Sequence, residues 1–241
     1  MNLRTSAEGL VKGSNINMLL RLFTALILAS IIFLVLYLQN SWIFASLIFL
    51  VCLTAYYEWI SNKFKNKLFG LFLIFNFGFW SIFMIFGWMA YFDDGSNEDG
   101  LSYFFYGFII FITAIFDIFA YIIGSTFGKT YIAREISPNK TLEGLIGGLF
   151  PLILIGIFIG EESSLYNISG GWTWNEIGYI LFFITVGLSA FAGDLLISYF
   201  KRQSGIKDTG TVLPGHGGVL DRIDSHLITT PLAIIIFFFF F

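Results

Sequence analysis

Residues 176–224 read EIGYILFFITVGLSAFAGDLLISYFKRQSGIKDTGTVLPGHGGVLDRID. After Glu176 the first half is an apolar run to Phe200, broken by a single charge, Asp194. A bilayer-spanning helix needs about 20 mostly apolar residues, and this run is long enough. The second half gathers Asp208, Asp221 and Asp224 with Lys201, Arg202, Lys207, Arg222 and His216. Charge beside a bilayer is expensive, so a cluster of both signs calls for a reason. A metal ion and a phosphate-rich ligand would supply one.

The rest of the chain has the same apolar character. Its 241 residues are 57% hydrophobic and 12% charged, with mean hydropathy +0.82. Soluble domains are about 45–50% apolar and about 25% charged. The composition therefore predicts an all-α, polytopic integral membrane protein. Further apolar runs lie near 17–38, 42–61, 68–90, 102–124, 143–160 and 226–241. That makes about seven spans; eight or nine are reached if the 68–90 run divides near Gly78 or Gly87. The first run is too long for a signal-peptide core and reads as a retained anchor. The lone cysteine, Cys52, rules out an intramolecular disulfide.

Lysine and arginine set orientation. Arg4, Lys12 and Arg21 precede or open the first run, and Lys63, Lys65 and Lys67 follow the second. Lys129, Arg134 and Lys140 follow the fourth; Lys201, Arg202, Lys207 and Arg222 follow the sixth. With seven spans and a cytoplasmic N-terminus, all thirteen cations face the cytoplasm. The opposite loops hold acids: Asp93, Asp94, Glu98 and Asp99, then Glu161, Glu162 and Glu176. The triplet Asn167-Ile-Ser169 also falls on that side. No repeat or linker divides the chain. Residues 1–241 read as one membrane-embedded domain with two cytoplasmic catalytic segments, 125–142 and 194–225.

Asp194, Ser198, Lys201 and Arg202 share one helical face. Asp194 lies roughly 10 Å deeper than Lys201 at 1.5 Å rise per residue. An acid at that depth costs about 2.5–3.5 kcal/mol on insertion scales. The Lys201-Arg202 pair alone reads as a positive-inside anchor, but no structural need explains Asp194. Between Gly205 and Gly218 the chain is rich in glycine, ending Pro214-Gly215-His216-Gly217-Gly218. Such a loop forms either a plain turn or a nest of N–H groups for an anion. Asp221 and Asp224, three apart, either cap a helix or share a cation.

An earlier polar segment begins at Asp117, a second intramembrane acid. Gly124–Thr130 reads GSTFGKT, one residue short of a phosphate loop and without a preceding strand, so an ATPase is excluded. Ser137 or Thr141 caps the next helix, with Glu143 favourable near its start. Lys140 alternatively reaches a phosphate.

Together these residues resemble the phosphatidate cytidylyltransferases, or CDP-diacylglycerol synthases. Ser198, Lys201-Arg202, Lys207-Asp208, Pro214 to Gly218, Asp221-Arg222 and Asp224 keep that family's signature without a gap. Asp117 to Gly148, with SPNKTLEGLIGG, looks like its second characteristic stretch, and Arg21 and Glu58-Trp59 fit its N-terminal pattern. The resemblance implies transfer of the cytidylyl group of CTP to phosphatidic acid, with pyrophosphate released, for phospholipid biosynthesis. It implies that Asp194 and Asp221 hold Mg²⁺, and allows K⁺ nearby. It further implies catalytic roles for Asp224, Lys201, Arg202 and Lys207. Substrate contacts would come from Ser198, Arg222, His216, Gly217, Gly218 and Lys140. The expected setting is the inner (cytoplasmic) membrane, with the site facing the cytoplasm. CTP, phosphatidic acid and the bilayer are the expected partners; nucleic acid is not one, and a homodimer is allowed.

Other readings compete. A proton-coupled transporter would use Asp117 and Asp194 as a relay, but no inverted repeat supports it. A lipid phosphatase needs two catalytic histidines, and the chain has only His216 and His226, the latter opening an apolar run. Closer alternatives are CTP-dependent enzymes acting on an ether-lipid phosphate or a polyprenol.

Overall fold

The computed structural model describes residues 3–92, 99–165 and 176–240. Asp93, Asp94, Glu98 and the triplet Asn167-Ile-Ser169 lie outside them. The described residues form eight helices and no strand: α1 (Leu3–Leu38), α2 (Ser41–Ser61), α3 (Lys67–Phe92), α4 (Asp99–Phe127), α5 (Leu142–Leu165), α6 (Glu176–Gln203), α7 (Leu220–Ile223) and α8 (His226–Phe240). The protein is thus an all-helical, multi-pass membrane protein. Helices are the expected outcome, because hydrocarbon offers backbone groups no water to bond.

Six helices, α1 to α6, are long and apolar enough to cross a membrane. The seventh run forms α8, whose 15 residues reach only about 22 Å at 1.5 Å each. The 68–90 run does not divide: α3 passes through both glycines unbroken. Gly78 makes room for a neighbour, since a Cβ there would lie 2.8 Å from Cys52 Sγ. The first helix starts well before the apolar run, at Leu3.

Helix starts follow local chemistry. Asn40 caps α2, its side-chain oxygen accepting from the N–H groups of Trp42 and Ile43. Thr141, not Ser137, caps α5: its Oγ1 accepts from the Gly144 N–H at 3.1 Å. Glu143 does not reach back to the cap. Its carboxylate instead accepts from the N–H groups of Lys129 and Thr130, tying the 128–141 loop to α5.

Small residues let the helices approach closely, as is usual where lipid supplies no hydrophobic drive between them. The α4–α5 pair and the α5–α6 pair make the broadest contacts. At Gly144 a Cβ would lie 2.8 Å from the Ala120 carbonyl oxygen, so α4 and α5 meet backbone to backbone. At Gly193 on α6 a Cβ would lie 2.5 Å from the Asp224 carbonyl oxygen. Near the ends of α2 and α6, Trp59 is fully buried against Phe64 and Phe200, at ring-centroid distances of 5.1 and 4.8 Å. Such aromatic pairs contribute about 0.5–1.5 kcal/mol each beyond their burial.

One end of the bundle collects the polar loops among the described residues, 62–66, 128–141 and 204–219. Asn62 after α2 donates to the Thr209 carbonyl, and Arg202 Nε donates to Ile136 O at 3.0 Å. Arg21 on α1 lies against Gly215. The segments 125–142 and 194–225, distant in sequence, are therefore neighbours here.

Candidate active site

A cavity of about 530 Å³ opens at this end. Four carboxylates line it: Asp117 from α4, Asp194 from α6, Asp221 from α7 and Asp224 just after α7. Lys140 and Arg222 supply its cations, and Ile110, Ala114, Leu145 and Phe191 give it an apolar flank. Its lining is therefore amphipathic, charged and apolar side chains together.

Each carboxylate has its own setting. Asp194 Oδ2 meets Lys140 Nζ at 2.6 Å, and its Oδ1 accepts from Ser198 Oγ at 3.2 Å. Lys140 also sits over the Phe191 ring, 4.8 Å from its centroid. Asp221 is more enclosed. Its Oδ1 takes the Lys201 ammonium at 2.8 Å. Its Oδ2 accepts from the N–H groups of Thr209 at 2.7 Å and Gly218 at 3.0 Å. Burial opposes ionisation of Asp221, but the Lys201 ammonium and these N–H donors outweigh it and hold the carboxyl below its usual range. Asp224 is the opposite case: burial first, then the neighbouring Asp194 charge, push its carboxyl up to about 7.

The glycine loop is built around protein carboxylates. Gly217 has φ of 84°, which favours glycine, and a Cβ there would lie 2.8 Å from Asp221 Oδ2. Gly218 donates its N–H to that same oxygen. The expected anion nest is thus aimed, at this position, at Asp221.

The remaining candidates divide into those at the cavity and those supporting it. Arg222 is exposed and lines the cavity. Ser198 and Lys201 hold Asp194 and Asp221. Arg202 clasps the two polar segments, donating to the Ile136 and Ile206 carbonyls. Lys207 is exposed on its loop. His216 Nδ1 bonds Thr24 Oγ1 of α1. Asp117, which the sequence marked as an intramembrane acid and as the start of the second characteristic stretch, joins the cavity, as do Asn139 and His226. The cost of an acid inside a span was the signal available for Asp117; Asn139 carried only its place in the SPNKT stretch, and His226 carried none for this site.

The donor set bears on Mg²⁺. Among the described residues no group of three or more His, Cys, Asp or Glu side chains could hold a metal alone. Mg²⁺ characteristically takes one or two carboxylates and completes its shell with substrate phosphates and water. Carboxylates around a cavity with room for a ligand fit that habit.

The cytidylyltransferase family profile matches residues 82–240. That span contains every cavity residue named above. A phosphatidate cytidylyltransferase from Staphylococcus aureus (strain COL) is 40% identical over 148 residues, 61% of this chain and 52% of that protein. One from Rickettsia bellii (strain RML369-C) is 45% identical over 120 residues, 50% of this chain and 52% of that protein. The Escherichia coli K12 protein YnbB is 38% identical over 133 residues, covering 55% of this chain and 41% of that one. The chain spans about half the length of the curated relatives it matches. With most of its length matched and the cavity inside the match, the chain belongs to the cytidylyltransferase family.

Proposed function

We propose that the protein transfers the cytidylyl group of CTP to phosphatidic acid at the inner membrane, with the site facing the cytoplasm. The observation that carries this reading is the amphipathic cavity, whose lining combines carboxylates and cations with apolar side chains. A lipid phosphate has both characters, and CTP is used on the cytoplasmic side. The proposed orientation follows from the cations gathering at the cavity end.

In the proposed reaction an anionic oxygen of the lipid phosphate attacks the α-phosphorus of CTP. The bond from that phosphorus to the β-bridging oxygen breaks, and pyrophosphate leaves with the electron pair. The nucleophile is already charged, so no strong base is required. What the protein must supply is alignment and relief of crowded negative charge. Lys140 and Arg222, which line the cavity, would meet phosphate oxygens. Lys201 keeps Asp221 ionised, and Ser198 orients Asp194. Asp194 and Asp221 would hold Mg²⁺, with Asp224 beside Asp194; the bound ion would neutralise phosphate charge. K⁺ nearby would act in the same sense.

The test is purified protein in detergent with Mg²⁺, CTP and a panel of acceptors: phosphatidic acid, an ether-lipid phosphate and a polyprenol. Mass spectrometry should find CDP-diacylglycerol as the dominant product. Asp194→Asn should lower its rate by at least about 100-fold, the scale lost with a key charge-stabilising group. No CDP-diacylglycerol, or preference for another acceptor, would sink the assignment.

A further inference from the structure

Glu58 closes α2, far in sequence from the cavity, and does not line it. It is nevertheless 2% exposed. Among the described residues no lysine or arginine pairs with it. A buried carboxylate without a counter-charge is costly unless hydrogen bonds satisfy it. Here they do. Oε1 accepts from the Val219 N–H at 2.9 Å. Oε2 accepts from the Leu220 N–H at 2.9 Å and from the Thr209 hydroxyl at 2.9 Å.

The Thr209 hydroxyl also stands 3.0 Å from Asp221 Oδ2. A hydroxyl has one proton to donate, so two carboxylates compete for it. Gly210 and Gly218 leave the space this requires: a Cβ at Gly210 would lie 3.0 Å from Glu58 Oε1, and one at Gly218 would collide with Thr209 and Glu58. Glu58 therefore grips both ends of the loop, at Thr209 and at the start of α7, and Asp221 hangs between them.

We propose that Glu58 is a positioning residue, aiming Asp221 into the cavity through Thr209 and the α7 backbone. This rests on the reading of Asp221 as a site carboxylate. The chemistry demands glutamate. Glutamine would set an NH₂ group against N–H donors, and aspartate falls one carbon–carbon bond, about 1.5 Å, short.

The experiment compares wild type, Glu58→Gln, Thr209→Val and the double variant, each as full-length protein in detergent with CTP, phosphatidic acid and Mg²⁺. Glu58→Gln should lower kcat at least about tenfold, with KM for CTP within about threefold, and raise the half-activating Mg²⁺ concentration. Thr209→Val should do the same more weakly. The double variant should be no worse than Glu58→Gln, because one linkage is cut twice. A second readout needs no turnover: trypsin should cut after Arg222 faster in both single variants than in wild type. Wild-type kcat and Mg²⁺ dependence in Glu58→Gln, multiplying effects in the double variant, or unchanged trypsin cleavage would each overturn the inference. If Glu58→Gln fails to accumulate, Thr209→Val decides by the same criteria. An inactive wild type would sink the proposed function instead, leaving the trypsin comparison to judge Glu58.

Discussion

Asp221 and Asp224, three positions apart, differ in what surrounds them. Asp221 is ringed by donors, and Asp224 faces a second carboxylate in a buried setting. The raised Asp224 value has a stability consequence with a definite sign. Between the ordinary 3.8 and about 7, the folded protein keeps a proton that the unfolded chain has released. Its stabilising contribution is complete below the ordinary value and is lost as pH rises through about 7. In metal-free protein the thermal midpoint should therefore fall between pH 5 and 8. Asp224→Asn should flatten that slope; an unchanged slope would show that Asp224 does not carry the proton. The same spacing in the sequence was open to two readings, capping or cation sharing. Nothing in the residue types reveals that Thr209 and Gly218 donate to one acid and not the other.

Among the elements, the contact between α6 and the α7–α8 junction matters most for the site. Gly193 precedes Asp194, and a Cβ at Gly193 would press on the Asp224 and Ser225 carbonyl oxygens at 2.5 and 2.9 Å. Backbone cannot swing aside as a side chain can. Gly193→Ala should cost about 1–3 kcal/mol, the usual range for overpacking. It should also separate Asp194 from Asp224 and lower turnover more than ordinary overpacking elsewhere. Gly78→Ala, which meets only side chains, those of Cys52 and Ile48, is the control, expected to spare activity; equal losses in the two would contradict the special place given to Gly193. Helix identity was legible in the apolar runs, because membrane helices are set by length and composition. Helix ends were less so. Ser137 and Thr141 were equivalent candidates for the α5 cap, and only the loop's return past α4 selects Thr141. Gly78 and Gly87 suggested a break in α3, yet the helix runs through both, Gly78 facing Cys52 of α2 and Gly87 facing Phe83 of its own helix.

At the scale of the whole molecule, the described cation-bearing loops gather at one end of the helix bundle, where the charged stretch 194–224 meets the 128–141 loop. That segregation was legible from the lysines and arginines alone, and it argues against a midplane relay. The meeting of Asp117 with Asp221 and Asp224 in one cavity, and the reach of Glu58 across to Val219 and Leu220, were not legible, because they depend on how α2, α4, α6 and α7 pack. Arg202 likewise proved to bind the two polar segments together through backbone carbonyls. The proposed reaction moves a cytidylyl group, not a terminal phosphoryl group, onto a lipid phosphate. The direct measurement uses CTP labelled at either the α- or the γ-phosphate, with phosphatidic acid, Mg²⁺ and the full-length protein. Label from the α-position should enter the lipid fraction, label from the γ-position should leave as pyrophosphate, and Asp194→Asn should abolish both. Lipid labelled from the γ-position, or no labelled lipid from either, would contradict the account.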